Sequence, residues 1–417
     1  MRKIASVIGL GYMGLPTTCL LAKSGFRVIG VDIDARKIAG LKRGQIPFEE
    51  DGLDKLFVEA VRRLDFSVKP LPADVFIVSV PTPMRCDKSI DNSFVEAAVG
   101  SLVPVLKNGD LVILESTIAP MVSEKVVKKI LDRSKKKYLL AHCPERAFPG
   151  NTLKEMVEND RIVGGLNKKS AEAAKKIYSS FVKGNIYTTD IRTAEVVKLM
   201  ENSYRGVNIA FANEMAKLAH SLGINVWEAI ELANHHPRVK ILSPGPGVGG
   251  HCIPIDPWFL VKGPGGANLR ALNEALETNE KMPAFVVGLA EKTMRDNNMS
   301  VKKVGILGMS YKKNVDDTRE SPALIIGQIL KKRGYLVRFA DYFVKSSGVY
   351  KEEEVLKWAD ALIVATNHDR YRRIDFSRSK PRLVVDARNC LTPTQVRQLR
   401  LRGAMVVTLG NGNERDA

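Results

Sequence analysis

Three rhythms of apolar and polar residues follow one another along this chain of 417 residues. In the first, short continuous apolar runs alternate with longer amphipathic stretches. Ile4–Gly9 is predicted as a strand, Gly14–Ser24 as a helix and Arg27–Asp32 as a second strand, with further runs at Asp74–Val80, Leu111–Thr117 and Leu139–Cys143. Apolar runs of this kind belong in a parallel sheet covered by helices on both faces. In the second rhythm, Thr193–Leu222 runs without proline and repeats apolar residues at helical spacing, and Trp227–Ala233 and Ala267–Asn297 continue it. Such lengths suit a spacer whose apolar face pairs with a second copy. The third returns to the α/β pattern: strand Lys303–Gly308, helix Ser321–Arg333, strand Leu336–Asp341, then strands at Ala361–Thr366, Arg382–Asp386 and Met405–Leu409. The expected boundaries are 1–190, 191–298 and 299–417: two doubly wound α/β domains joined by a long helical central segment.

Composition narrows the setting. A hydrophobic content of 45% is ordinary for a globular protein, and the length exceeds what one core supports. Cys19, Cys86, Cys143, Cys252 and Cys390 are scattered, odd in number and without CxxC spacing. That argues against a disulfide framework and a zinc site, and for a reducing cytoplasm. His235 and His236 find no second pair at metal-ligand spacing, so no metal is expected. The N-terminus has no signal-peptide pattern, and no run approaches the ~20 apolar residues that span a bilayer. The net charge of +18 is spread in short clusters such as Lys135–Lys137 and Arg397–Arg402. They read as a solvated exterior, compatible with a nucleotide ligand, and not as a nucleic-acid surface.

Gly9-Leu10-Gly11-Tyr12-Met13-Gly14 follows a strand, opens a helix and leads to Asp32 at the end of the next strand. This is the context of a Rossmann-type dinucleotide site. The first glycine makes the turn, the second admits the pyrophosphate, and the third packs helix on strand. Asp32 suits ribose hydroxyls and repels a 2′-phosphate, which favours NAD over NADP, although Arg36 is a nearby cation. Pro81-Thr82-Pro83 is read as a rigid wall beside the cofactor. The third segment keeps only Gly305 and Gly308 of such a fingerprint, so a different ligand is expected there.

Gly245-Pro246-Gly247-Val248-Gly249-Gly250-His251-Cys252-Ile253-Pro254-Ile255-Asp256-Pro257 excludes regular helix and strand. It presents a thiol and, four residues on, a carboxylate. Cys252 is a structural cysteine beside a turn or a nucleophile; the dinucleotide fingerprint and the Lys198/Asn202 pair favour the nucleophile. Lys198 and Asn202 share a helix face and could hold an oxyanion. Thr117 and Glu145 fall at strand ends, where catalytic groups gather; the alternative for each is a cap of the following helix, nearly even for Thr117. His251 is taken as a shaping or substrate contact, since neighbours on a turn point apart.

Together these blocks resemble the UDP-glucose/GDP-mannose dehydrogenase family over essentially the whole chain. GLGYMGLP, Glu115-Ser116-Thr117, Cys143-Pro144-Glu145, Lys198 to Asn202, the Cys252 loop with Asp256, and Ser310 to Lys313 followed by Asp316 to Pro322 occur in one order. The resemblance implies oxidation of a nucleotide sugar at C6 in two hydride transfers to NAD, through a thiohemiacetal and a thioester on Cys252. It implies that Lys198 and Asn202 steady the oxyanion, that Asp256 and Thr117 orient a water, and that Glu145 serves hydrolysis. Gly9, Gly11, Tyr12, Met13, Gly14, Asp32, Pro81, Thr82, Thr117 and Arg319 are assigned to the cofactor. Glu145, Arg146, Lys198, Asn202, Arg205, Arg238, Gly249, His251 and Lys312 are assigned to a UDP-sugar, with Arg238 reaching across a homodimer or higher oligomer. His251 before the thiol and Asp256-Pro257-Trp258-Phe259 after it resemble the branch acting on UDP-N-acetylmannosamine, ranked before UDP-N-acetylglucosamine and UDP-glucose. A two-electron hydroxyacid dehydrogenase and a non-catalytic nucleotide-sugar sensor are the rival readings.

Overall fold

The computed structural model describes residues 3–147 and 150–413. The chain forms two compact units, Met1–Glu201 with Trp258–Asn268, and Asn202–Pro257 with Leu269–Ala417.

The first unit is built on strands β1 (Ile4–Ile8), β2 (Arg27–Val31), β3 (Leu64–Ser67), β4 (Val75–Val78), β5 (Leu111–Leu114), β6 (Leu139–His142), β7 (Arg161–Gly165) and β8 (Ile186–Asp190). They make one sheet in the order β3-β2-β1-β4-β5-β6-β7-β8. Helices α1 (Gly14–Lys23), α2 (Ala35–Lys42), α3 (Leu53–Ala60), α4 (Ser93–Leu102), α5 (Lys128–Leu131), α6 (Thr152–Glu158) and α7 (Lys168–Tyr178) accompany it. Every residue of β4 and β5 is buried, as their unbroken apolar runs require in a sheet covered on both faces. Leu15 and Leu21 of α1, Ile77, Ile113, Phe57 and Tyr178 meet in its core. The order reverses between β1 and β4, so the ends of those strands form the switch-point crevice.

The sheet is not purely parallel, which corrects the expectation from sequence: β7 runs antiparallel to β6, and β8 then pairs parallel to β7. The chain leaves β6, passes through α6 and re-enters the sheet without crossing it. Neither added strand reads as a continuous apolar run. Arg161 opens β7, and β8 at the sheet edge is exposed at Tyr187, Thr188 and Asp190.

Helix α8 (Ile191–Leu222) begins in the first unit and continues into the second. It is followed by α9 (Val226–Asn234), α10 (Asp256–Lys262) and α11 (Arg270–Asp296). Pro283 lies inside α11 and removes the hydrogen bond that would reach the Asn279 carbonyl. Buried amides join the elements here. Asn213 of α8 donates to Asn279 Oδ1 at 2.9 Å and accepts from Gly245 N–H at 2.9 Å, while Asn279 donates to the Gly206 carbonyl at 2.9 Å.

The second unit also carries a parallel sheet of β9 (Lys303–Leu307), β10 (Leu336–Ala340), β11 (Val349–Tyr350), β12 (Ala361–Val364), β13 (Leu383–Asp386) and β14 (Met405–Thr408). Its order is β11-β10-β9-β12-β13-β14, with helices α12 (Pro322–Lys332), α13 (Glu352–Trp358) and α14 (Pro393–Leu401). Both sheets therefore have the doubly wound topology. Among the described residues, no helix is long and apolar enough to cross a membrane, and no cluster of His, Cys, Asp and Glu is placed to hold a metal ion.

Candidate functional site

In the first unit, β1 ends in a turn that requires glycine at two positions. Gly9 has φ +94°, and a Cβ there would lie 2.3 Å from the Ser79 carbonyl oxygen. A Cβ on Gly14 would lie 1.8 Å from the Gly9 carbonyl oxygen, so these two glycines are required by packing. Gly11 differs: nothing lies within 4 Å of its would-be Cβ. The fold does not need that glycine, but an approaching phosphate would. No side chain caps the N-terminus of α1, whose first N–H groups face this turn.

Asp32 follows β2 and accepts from the Leu10 N–H at 3.0 Å and from the Asp34 N–H at 3.0 Å. Lys37 Nζ lies 2.7 Å from Asp32 Oδ2. Burial pushes this carboxyl up, but Lys37 and the backbone donors outweigh it and hold Asp32 below its ordinary value. The cation beside Asp32 is thus Lys37, whereas the sequence had drawn attention to Arg36. Tyr12 is exposed and packs on Phe48 with centroids 4.4 Å apart; Met13 is half-buried, Pro81 exposed and Thr82 buried. Ser116 Oγ accepts from the Val80 N–H at 2.8 Å and donates to the Val80 carbonyl at 2.7 Å, fastening the loop before Pro81 to the end of β5. An open glycine, an uncapped helix terminus and an ionised acid fit NAD.

The ends of β5 and β6 gather a buried charged cluster. Glu145 Oε2 pairs with Arg161 at 2.6 Å, and Glu145 Oε1 accepts from the N–H groups of Arg146 and Ala147 at 2.7 and 2.9 Å. Burial raises the Glu145 carboxyl, and Arg161 with these backbone donors brings it below the usual carboxylate range. Glu115 has no such direct pairing. Thr17 and Tyr178 donate to it at 3.1 and 2.8 Å, and burial pushes it up to about 7. Arg146 binds Glu201 and the Asp160 carbonyl. Thr117 is half-buried just beyond. Glu195 of α8 accepts from the Met121 and Ser123 N–H groups at 2.7 and 2.9 Å, tying the segment after Thr117 to the helix that carries the buried Lys198.

In the second unit, the glycine-rich loop lies against the loop that follows β9. A Cβ on Gly249 would meet the Glu320 carbonyl oxygen at 2.6 Å and Tyr311 Cβ at 2.7 Å. Gly250, at φ +87°, donates to the Arg319 carbonyl at 2.9 Å. Beyond them the N–H groups of Ile255 and Asp256 both return to the Cys252 carbonyl, at 3.1 and 2.8 Å. This backbone turn links the exposed Cys252 to the buried Asp256 four residues on. Asn202 Nδ2 donates to Asp256 Oδ2, and Arg205 donates to Asn202 Oδ1, so both ends of that amide are engaged. Half-buried His251 is held below its ordinary value by burial and by the Arg319 charge. Arg319 itself binds Asp317, at 2.6 Å between Nη2 and Oδ2. Lys312 is half-buried on the same loop, and Arg238 lies exposed after α9.

Several of these groups were invisible to sequence reasoning. Glu115 was legible as part of a strand-end motif but without a role, and Arg161, Glu195 and Lys37 carried no spacing signal. Arg388 is another: its guanidinium donates to the Ala365 carbonyl at 3.1 Å and would meet a Cβ on Gly245 at 2.6 Å. Burial lowers its proton affinity, to about 10.

Relatives have the same organisation. Residues 3–182 match the NAD binding domain of the UDP-glucose/GDP-mannose dehydrogenase family, 192–281 its central domain and 305–393 its UDP binding domain. A UDP-N-acetyl-D-mannosamine dehydrogenase of Methanocaldococcus jannaschii is 47% identical over 97% of this chain and 96% of its own. An NDP-N-acetyl-D-galactosaminuronic acid dehydrogenase of Ralstonia nicotianae is 40% identical over 92% of this chain and 95% of its own. The solved structure of a UDP-D-ManNAc dehydrogenase from Pyrococcus horikoshii matches with a TM-score of 0.91 at 39% identity, covering 98% of this chain and 100% of that one. With its cofactor cradle, its thiol loop and full-length relatives in agreement, the chain belongs to the UDP-glucose/GDP-mannose dehydrogenase family.

Proposed function

We propose that the protein oxidises the C6 hydroxyl of UDP-N-acetyl-D-mannosamine to the carboxylate in the cytoplasm, using two NAD per sugar. The observation that carries this reading is the turn that closes Cys252 onto Asp256, with Asn202 bonded to that acid. Bound NAD supplies the hydride acceptor for both oxidations. Lys198 and Asn202, one turn apart on α8, steady the oxygen as charge develops on it. Asp256 orients a water for proton removal, as does Thr117. The Cys252 thiolate adds to the aldehyde carbon to form a thiohemiacetal, whose oxidation leaves a thioester. Water then releases the carboxylate and returns the thiol. Glu145 is held as an anion by Arg161, so its part in hydrolysis is to orient water.

Lys312, Arg205, Gly249 and His251 contact the nucleotide sugar, and Arg319 the cofactor. Arg146, whose guanidinium is taken by Glu201, fixes the segment that carries Glu145. The sugar assignment is supported by the names of the M. jannaschii and P. horikoshii relatives and by His251 and Ile255 beside the thiol and acid. The Ralstonia relative keeps a second N-acetylated sugar as the rival substrate.

The protein acts as a homodimer, with Arg238 reaching the partner's nucleotide. Met200, Tyr204, Val207, Phe211, Leu218 and Leu222 support this: all are exposed and recur at helical spacing on one face of α8. Phe211→Glu should yield monomers by sedimentation, and an unchanged oligomer would remove this face from the interface.

The deciding experiment measures NADH formed per mole of limiting UDP-N-acetyl-D-mannosamine, UDP-N-acetylglucosamine and UDP-glucose. Two NADH from the first alone establish reaction and sugar, and two from another correct the sugar. One NADH would sink the thioester route, and none would favour a binding protein without turnover. Cys252→Ser should bind NAD normally and lose acid production by orders of magnitude.

A further inference from the structure

β9 runs into Gly308 and then into the loop that carries Tyr311, Lys312 and Arg319 before α12. His368, on the segment after β12, fastens that loop. Its ring is fully buried, stacked on Phe343 with centroids 5.0 Å apart and edge-on to Tyr371 at 5.1 Å. The Asn314 N–H donates to His368 Nδ1 at 2.9 Å. A backbone N–H can only donate, so Nδ1 carries no proton and the ring hydrogen sits on Nε2. Nε2 reaches Asp341 Oδ2 at 3.1 Å and Ser310 Oγ at 3.2 Å. Ser310 Oγ in turn donates to the Lys312 carbonyl at 2.9 Å. The two ring nitrogens therefore grip the loop on both sides of Lys312, at residue 310 before it and at residue 314 after it.

Comparison of the two sheets shows what this buried acid has become. Asp32 follows β2 and accepts from Leu10, the residue after Gly9; Asp341 follows β10 and accepts at 2.6 Å from Met309, the residue after Gly308. The Asp32 side chain is 9% exposed and pairs with Lys37. The Asp341 side chain is wholly buried against His368. A position that would meet a ribose in a dinucleotide site serves here to orient a histidine and its loop.

We propose that His368 is a positioning residue for Lys312: as the Nε2–H tautomer it fixes the backbone of residues 310–314, and so the direction in which Lys312 meets the nucleotide sugar. The inference rests on the reading of Lys312 as a substrate ligand, and His368 itself touches no substrate.

A double-mutant cycle tests it in the full-length protein, with KM measured separately for UDP-N-acetyl-D-mannosamine and NAD and folding checked by Tm. His368→Ala should raise the sugar-nucleotide KM about tenfold, the loss of roughly one well-made hydrogen bond, and leave the NAD KM within about twofold. Lys312→Ala should raise the same KM, and His368→Ala should add little in that background. Full additivity overturns the proposal while leaving Lys312 a ligand. An unchanged KM in Lys312→Ala removes the ligand reading and the proposal with it. If His368→Ala does not fold, His368→Asn and His368→Gln decide. Asn keeps an acceptor near Nδ1 and Gln a donor near Nε2, so each retains one of the two grips and should raise the sugar-nucleotide KM part of the way with the NAD KM unchanged; a wild-type KM in both overturns the proposal.

Discussion

Glu145 and Arg161 form an ion pair at 2.6 Å with side chains only 8% and 4% exposed, and two backbone N–H groups complete the carboxylate. Removing the cation alone would strand a buried charge. Arg161→Met should therefore cost about 3–5 kcal/mol, read by urea unfolding at neutral pH. The pH dependence follows from the direction of the shift. Glu145 is depressed in the folded protein, so its contribution is present above its unfolded value of 4.5 and is lost as pH falls through the lower folded value. Wild type should lose more stability than Glu145→Gln on going below that range. Equal acid sensitivity would show that the pair does not act as an ion pair.

Glu115 behaves in the opposite sense. Burial holds its carboxyl at about 7, above the ordinary 4.5, with Thr17 and Tyr178 as its hydrogen-bond partners. Between those values the folded protein keeps a proton that the unfolded chain has released. Stability from this group therefore falls as pH rises from about 4.5 to about 7, by an amount on the order of 3 kcal/mol, and is flat beyond. Glu115→Gln should remove that slope and be more stable than wild type at pH 8. A less stable variant at pH 8 would mean that the ionised carboxylate is the favoured form.

These two acids mark the limit of what the sequence discloses. Both follow or close apolar strands, and that position is legible because strands buried on both faces read as unbroken runs. Their partners are not. Arg161 lies 16 residues beyond Glu145, at the start of an antiparallel strand whose pattern is too mixed to recognise. The doubly wound fold, the family and the use of NAD were legible because glycine spacing and the alternation of strand with helix are local properties. Lys37 was missed in favour of Arg36 because helix α2 begins at Ala35, and one residue of rotation decides which cation turns to Asp32. His368 was missed because its meaning lies in contacts with residues 310, 314 and 341.

Asp32 and Lys37 make a paired prediction about cofactor choice. Asp32→Ala removes the carboxylate that the NAD reading assigns to the ribose and frees Lys37 from its 2.7 Å partner. NAD KM should rise roughly tenfold to a hundredfold, the range of a lost charge-assisted hydrogen bond, with the nucleotide-sugar KM unchanged. The ratio of NADP to NAD use should rise, since a lysine without its carboxylate favours a 2′-phosphate. Adding Lys37→Ala should reverse that gain. If NAD affinity survives Asp32→Ala, the carboxylate serves only to hold the Leu10 turn.

Gly249 gives the sharpest test of the thiol loop, because the atoms that crowd it, a backbone carbonyl oxygen, a Cβ and a proline ring carbon, cannot swing aside on a flexible side chain. A methyl group there would lie 2.6 Å from the Glu320 carbonyl oxygen and 2.7 Å from Tyr311 Cβ, so the loop before Cys252 must move away from residues 311–320. Overpacking of this kind costs about 1–3 kcal/mol. Gly249→Ala should thus lower kcat at least about tenfold, since a displaced nucleophile loses its alignment while the thiol remains. NAD binding, measured by titration, should fall less than kcat, since Arg319 is the one cofactor contact assigned to the displaced segment. Gly288→Ala is the matched control. It lies within α11 with nothing within 4 Å of its would-be Cβ, so alanine should keep full activity and add up to about 1 kcal/mol of stability. Activity retained in Gly249→Ala would mean that the thiol loop is not held by the loop after β9, and the alignment of Cys252 would have to come from the Asp256 turn alone.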